Sequence, residues 1–235
     1  MNKRMIVYIL GKMLGVEGAV LLIPALVSLI YREKSGFSFL IVSVILGGIF
    51  LIFGRKRPKC TRIYGKESFA IVALAWLLWS VFGALPFVIS GSIPNYIDAF
   101  FETVSGFTTT GSTILQEIES LPMGINFGRC LTHWIGGMGV LVFVLMITSL
   151  DDENSMPLMR AEMPGPESDK LVPKARNTAT ILYGMYFVLT AVEVVLLMLG
   201  GMNLYDALVH SFSTAGTGGF NNRNTSVAFY DSAYI

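Results

Sequence analysis

Charge is what this sequence has least of. Asp, Glu, Lys and Arg make up 14% of its 235 residues, where soluble domains carry ~25%. Residues 37–53 and 69–89 hold no charged side chain at all. With a net charge of +1, the chain has neither the basic balance of a nucleic-acid binder nor the character of a sponge for acidic ligands. Cysteine is nearly absent as well. Cys60 and Cys130 supply no disulfide framework and no metal-ligand spacing. A nucleotide fingerprint is missing too: the GGMG run at Gly136–Gly139 follows no strand and contains no lysine. In an apolar helix such small residues are expected to permit close packing.

What fills the space is hydrophobic, at 53%. Five segments are long and apolar enough to span a bilayer: 5–30, interrupted by Lys12, Glu17 and Pro24; 37–53; 69–89, with Trp76, Trp79 and Pro86; 130–150, with His133; and 178–199, with Glu193. Each is within reach of the roughly 17–25 residues that a transmembrane helix needs. Lys3 and Arg4 precede the first run as in a signal peptide. That run is too long and carries charge, and no A-x-A-like site follows Tyr31, so a retained helix is expected. The expected class is an all-α integral membrane protein. Cys60 and Cys130 then lie on opposite sides, and no bond between them is expected. Carboxyls inside a membrane are costly, so Glu17 and Glu193 are expected to be buried against a partner helix or protonated.

Two further stretches carry the chemistry. Residues 98–113 read DAFFETVSGFTTTGST, and residues 206–220 read DALVHSFSTAGTGGF. A shift of 108 lays Asp98 on Asp206, Ala99 on Ala207, Ser105 on Ser213, Thr109 on Thr217 and Gly111 on Gly219. The chain therefore contains an internal repeat. Asp98 and Asp206 are expected to be helix N-caps. A helix from Asp98 to Phe107 spans about 15 Å, half of a hydrocarbon core roughly 30 Å thick. Half-length helices followed by irregular backbone are re-entrant elements, tolerated only where they line a cavity or are buried in protein. The negative C-terminal end favours a cation, and the following TTTG offers successive carbonyls, the material of a cation filter. The expected unit is span, half-helix, filter, span. The resulting plan has a helix pair at 1–54, a basic loop at 55–68, a first unit at 69–150, a loop at 151–177 and a second unit at 178–235. It comprises five transmembrane helices and two re-entrant half-helices, with the closing span of the second unit missing and only 227–235 able to begin one.

Basic residues orient this plan. The N-terminus, 54–68 and 151–177 together hold twelve Lys or Arg, while the opposite side holds Arg32, Lys34, Arg129 and Arg223. The positive-inside rule makes the richer side, and the N-terminus with it, cytoplasmic. Glu33, Asp98, Glu102, Glu117, Glu119, Asp206 and Asp231 then leave the outer side net negative, a distribution that concentrates cations at a pore mouth. For Glu117 and Glu119, simple solvation is the expected role.

DAFFETVSGFTTTGST, HWIGGMGV, RAEMPGP and HSFSTAGTGGF, in this order, resemble the Trk/Ktr/HKT superfamily of potassium transporters, and within it the TrkH-type membrane subunit. The resemblance implies four span–loop–span units around one pore, of which this chain carries one and most of a second. It places backbone-carbonyl potassium ligands at Thr108, Thr109, Thr110 and Gly111, and at Gly216, Thr217, Gly218 and Gly219. Gly111 and Gly219 are expected to adopt angles closed to other residues, and the hydroxyls of Thr109 and Thr217 to brace the loops. A potassium uptake subunit of a bacterial inner membrane is implied, with no enzymatic activity and no organic cofactor. A homodimer and a cytosolic TrkA-type nucleotide-binding ring are the implied partners, beside membrane lipid and without nucleic acid.

Two other readings compete. One is a membrane-embedded enzyme using His133, Glu193 or His210, although no pair of these has a catalytic spacing. The other is a half-length scaffold that does not conduct. His133 is expected near the outer interface beside Trp134, with a proton relay as the alternative. His210 is expected to be a hydrogen-bonded structural residue.

Overall fold

In the computed structural model, which describes residues 2–58, 65–139, 175–232 and 234–235, proline decides where the long helices break. The first apolar run forms α1 (Lys3–Val20) and α2 (Leu22–Ile30). They divide at Leu21, just after the carbonyl that the ring of Pro24 would meet one turn earlier. Next comes α3 (Gly36–Ile49), continued by a π-helical turn at Phe50–Gly54. The following run divides in the same way, into α4 (Gly65–Gly83) and α5 (Leu85–Ile89), ahead of Pro86. Among the described residues, four helical stretches are long and apolar enough to cross a membrane: Lys3–Ile30, Gly36–Gly54, Lys66–Ile89 and Thr180–Leu199. α1 meets the α3 hairpin through Gly11, Gly15 and Gly18, where an added Cβ would press on Gly54, Phe50 and Leu46. Small residues of this kind let helix backbones approach in lipid.

Two short helices interrupt the series. α6 (Tyr96–Phe107) and α9 (Leu204–Ala215) have 12 residues each, about 18 Å. Between them in sequence lie α7 (Met123–Met138) and α8 (Ala175–Leu199). α7 packs against α2, α6 and α9 and is the element on which both short helices rest. Edge-to-face rings fix the seams, Trp79 on Phe107 and Phe127 on Phe212, each with centroids 5.5 Å apart. No described residue forms a strand.

The structure corrects two boundaries. The fourth apolar segment was expected to start at Cys130, after Arg129. Instead α7 begins at Met123 and takes Arg129 into its buried interior. It ends at Gly139, whose φ of 77° reverses the helical hand. Residues 140–150, Cys60 and the RAEMPGP sequence lie outside the described residues. Residues 227–235 were the one candidate for the start of another span, and Ser226–Tyr230 overlaps their beginning. It forms a single 3-10 turn with no buried residue.

Candidate functional site

Both short helices are built alike at both ends. Asn95 accepts from the Ile97 amide at 2.9 Å and Asn203 from the Asp206 amide at 2.9 Å. These asparagines are the N-caps, not Asp98 and Asp206, which sit inside the first turn. Asparagine caps a helix as well as aspartate does. Asn95 and Asn203 are themselves 108 residues apart, a repeat match that marks the true start.

At the other end, Thr110 N donates to Ser105 O at 2.9 Å and Thr109 N to Gly106 O at 3.1 Å. In the second unit, Gly218 N donates to Ser213 O and Thr217 N to Thr214 O, both at 3.0 Å. This crossed pair is the Schellman ending, whose left-handed residue is ordinarily glycine. Here it is threonine, with φ of 52° at Thr109 and 56° at Thr217. A β-branched residue in that region is an outlier and costs about 1–3 kcal/mol. Gly111 and Gly219 follow two residues later with φ of 77° and 92°. The sign of φ thus alternates through both segments, at identical offsets. The hydroxyls that brace the first segment belong to other threonines. Thr108 Oγ1 donates to Val104 O at 2.7 Å and lies 2.8 Å from Thr110 Oγ1.

The two segments meet each other and α7. A Cβ on Gly111 would overlap the Gly218 carbonyl oxygen, and one on Gly136 would overlap the Phe107 carbonyl. Gly137 faces the Cα of Gly216 at 2.7 Å from its virtual Cβ. The glycine run of α7 therefore permits close packing, as its composition suggested, and what it admits are the ends of α6 and α9. Tyr183 Oη closes the far side by donating to the carbonyls of Met138 and Gly139 at 3.0 and 3.1 Å.

Buried charge holds the segments beyond their glycines. Glu102, in α6, pairs with Arg129 Nε at 2.5 Å, and both side chains are sealed from solvent. The same carboxylate accepts from Thr113 Oγ1 at 2.8 Å and the Ile114 amide at 3.1 Å. Arg129 reaches on to the Asn221 carbonyl at 3.2 Å and lies 3.6 Å above the Phe220 ring. One ion pair thereby grips the outgoing limbs of both segments. In the second unit the carboxylate stands one turn earlier. Asp206 accepts from Asn222 at 2.5 Å, Tyr230 at 2.6 Å and Arg223 at 3.3 Å. Burial opposes its ionisation, but the Tyr230 and Asn222 hydrogen bonds and the Arg223 charge hold its pKa below the usual carboxylate range.

These pairings revise the account of the outer charges. Glu33 binds the Met123 and Gly124 amides at 2.7 and 3.0 Å, completing the N-terminus of α7. Glu102 and Asp206 are internal, so much of the negative excess is already matched by donors. Glu117 and Glu119 do more than face water. They bind the side chain and amide of Asn224 at 2.7 and 3.2 Å, linking the loops that follow α6 and α9.

The remaining polar residues fall into place around this frame. His210 Nδ1 lies 2.9 Å from the Asp206 carbonyl of its own helix, a structural hydrogen bond. Glu193 lies beside Thr214 of α9. Glu17 is buried against Gly83 and has no hydrogen-bond partner among the described residues. His133 is fully buried, its ring against Gly218 and Phe220.

Comparison with known proteins agrees with this geometry. The TrkH family, described as cation transport protein, matches residues 34–235. The Trk system potassium uptake protein TrkH of Escherichia coli K12 is 39% identical over 241 residues, covering 100% of this chain and 49% of the relative. TrkG of the same organism is 34% identical, covering 99% and 48%. The crystal structure of the potassium transporter TrkH from Vibrio parahaemolyticus superposes with a TM-score of 0.84 at 33% identity, over 100% of this chain and 47% of that one. This chain spans about half the length of the curated relatives it matches. It belongs to the TrkH family of cation transport proteins.

Proposed function

We propose that this chain supplies two of the pore-lining segments of a potassium uptake transporter. Thr108–Gly111 and Gly216–Gly219 present backbone carbonyls to a dehydrated potassium ion. The observation that carries this is the duplicated ending of α6 and α9: the same crossed hydrogen bonds, the same left-handed threonine and the same positive-φ glycine, 108 residues apart. Backbone that alternates in hand departs from the strand pattern, in which successive groups point to opposite faces, and lets neighbouring carbonyls share a side. α6 and α9 are re-entrant, with their partially negative C-terminal ends directed at the ion. Five spans surround them, the segment 130–150 being the fourth in chain order, with the N-terminus in the cytoplasm of a bacterial cell. The domain plan is 1–54, 55–68, 69–150, 151–177 and 178–235. A second copy of the transporter and a cytosolic TrkA-type nucleotide-binding subunit are the partners.

Gly111→Ser tests the filter. The new Cβ overlaps the Gly218 carbonyl and forces a left-handed serine, so selectivity for potassium over sodium is expected to fall in the complete conducting transporter. Uptake of both ions by the folded variant is the measurement, and unchanged selectivity removes Gly111 from the filter. Ser112→Cys tests the topology. The residue is exposed just beyond Gly111, and an impermeant thiol reagent is expected to label it from outside only. Labelling confined to the cytoplasmic face overturns the orientation.

A further inference from the structure

We propose that His133 is the positioning residue of the second filter segment, fixing its outgoing limb through Nδ1; this rests on the filter reading above. The ring is fully buried, and Nδ1 accepts from the Phe220 amide at 3.2 Å. A neutral imidazole that accepts at Nδ1 carries its proton on Nε2. That Nε2 edge lies against Gly218, where any Cβ would collide with the ring. Nε2 has no hydrogen-bond partner among the described residues. The His133 carbonyl touches Gly216, and the ring packs on Phe220 with centroids 4.0 Å apart. One residue of α7 therefore contacts the start, middle and end of the segment.

The repeat explains why a brace is needed here. In the first unit, Glu102 accepts from the Ile114 amide just beyond the filter. The matching position in the second unit is His210, which bonds to its own helix instead. No carboxylate from α9 reaches Phe220 among the described contacts. Asp206 of α9 instead takes the side chain of Asn222, the repeat match of Ile114, and the acceptor for the Phe220 amide comes from α7 as His133. A space-filling ring alone would leave the buried Phe220 amide unpaired, which is costly and frees the limb to turn.

The test compares three variants in the complete conducting transporter, with Gly111→Ser alongside. His133→Asn keeps an acceptor near Nδ1, His133→Gln moves it toward Nε2, and His133→Phe removes it while keeping bulk. The ratio of rubidium to sodium uptake is expected to fall about tenfold in the Gln and Phe variants, the equivalent of one lost buried hydrogen bond. The Asn variant is expected to stay close to the parent in selectivity and melting temperature, and the Gln and Phe variants to stay folded in detergent but melt below the parent. If the Phe variant does not fold, the Asn and Gln pair decides. Equal impairment of Asn and Gln, or parental selectivity in both, overturns the proposal. Loss of selectivity in Gly111→Ser without loss in the His133 variants refutes the brace and leaves the filter standing. Parental selectivity in every variant refutes both.

Discussion

Arg129→Met is expected to abolish transport and to lower stability by about 3–5 kcal/mol, the cost of leaving a buried carboxylate without its partner. The methionine fills most of the space left by the arginine stem. What is lost is the charge facing Glu102 and the donor to the Asn221 carbonyl. Glu102 would then stand ionised in an apolar setting or take up a proton, and either outcome loosens Thr113 and Ile114. Glu102→Gln is expected to cost a similar amount, because one amide oxygen replaces two acceptors, Oε1 for Thr113 and Arg129 and Oε2 for Ile114, and Arg129 is left buried without its partner charge. Combining Glu102→Gln with Arg129→Met removes both charges together, so the double variant is expected to be more stable than Arg129→Met alone. Thermal unfolding in detergent and rubidium uptake complete the cycle. Additive losses would show that the pair is not coupled, and parental transport by Arg129→Met would show that it does not hold the pore.

The sequence revealed what depends on local pattern and concealed what depends on pairing. The repeat was visible because its landmarks, Ser105 and Ser213, Thr109 and Thr217, Gly111 and Gly219, share one offset. The positive φ of the two glycines follows from the same alignment. Four of the five expected spans coincide with helical stretches long and apolar enough to cross a membrane, and two of them, 37–53 and 69–89, run on without charge. Prolines 24 and 86 were seen, but the breaks they impose were not drawn from them. Arg129 illustrates the deeper gap. Counted as an outer-loop charge, it pushed the start of the fourth segment to Cys130. Only a tertiary partner, Glu102 from another helix, allows an arginine inside α7. The same applies to Asp206, whose donors Asn222, Arg223 and Tyr230 come from beyond the filter. Side-by-side counts treat every charge as solvated and cannot show which are matched. Threonine in a left-handed position was illegible for the opposite reason, since local preference argues against it and tertiary packing prevails.

Residues 1–235 alone are expected to insert without conducting. Two of the proposed filter segments lie in this chain, and the resemblance implies a ring of four. The structure adds a physical reason. Thr108, Thr110, Ser112 and Thr217 are exposed, so on the proposed re-entrant placement irregular polar backbone would lie open at membrane depth. In lipid each unsatisfied group costs several kcal/mol. α8 also presents an apolar face, with Val188 60%, Leu189 68% and Leu199 76% exposed. Lipid can cover that face, but it cannot satisfy the filter carbonyls. Complementary protein can do both. Expression in cells without potassium uptake is therefore expected to give no growth at low potassium with the chain alone. Co-expression with the two complementary repeat units is expected to restore growth, and Gly111→Ser in the same cells to weaken it. Growth with the chain alone would mean that copies of it close the ring by themselves, and the four-unit plan would have to be replaced by a symmetric assembly of two-segment halves.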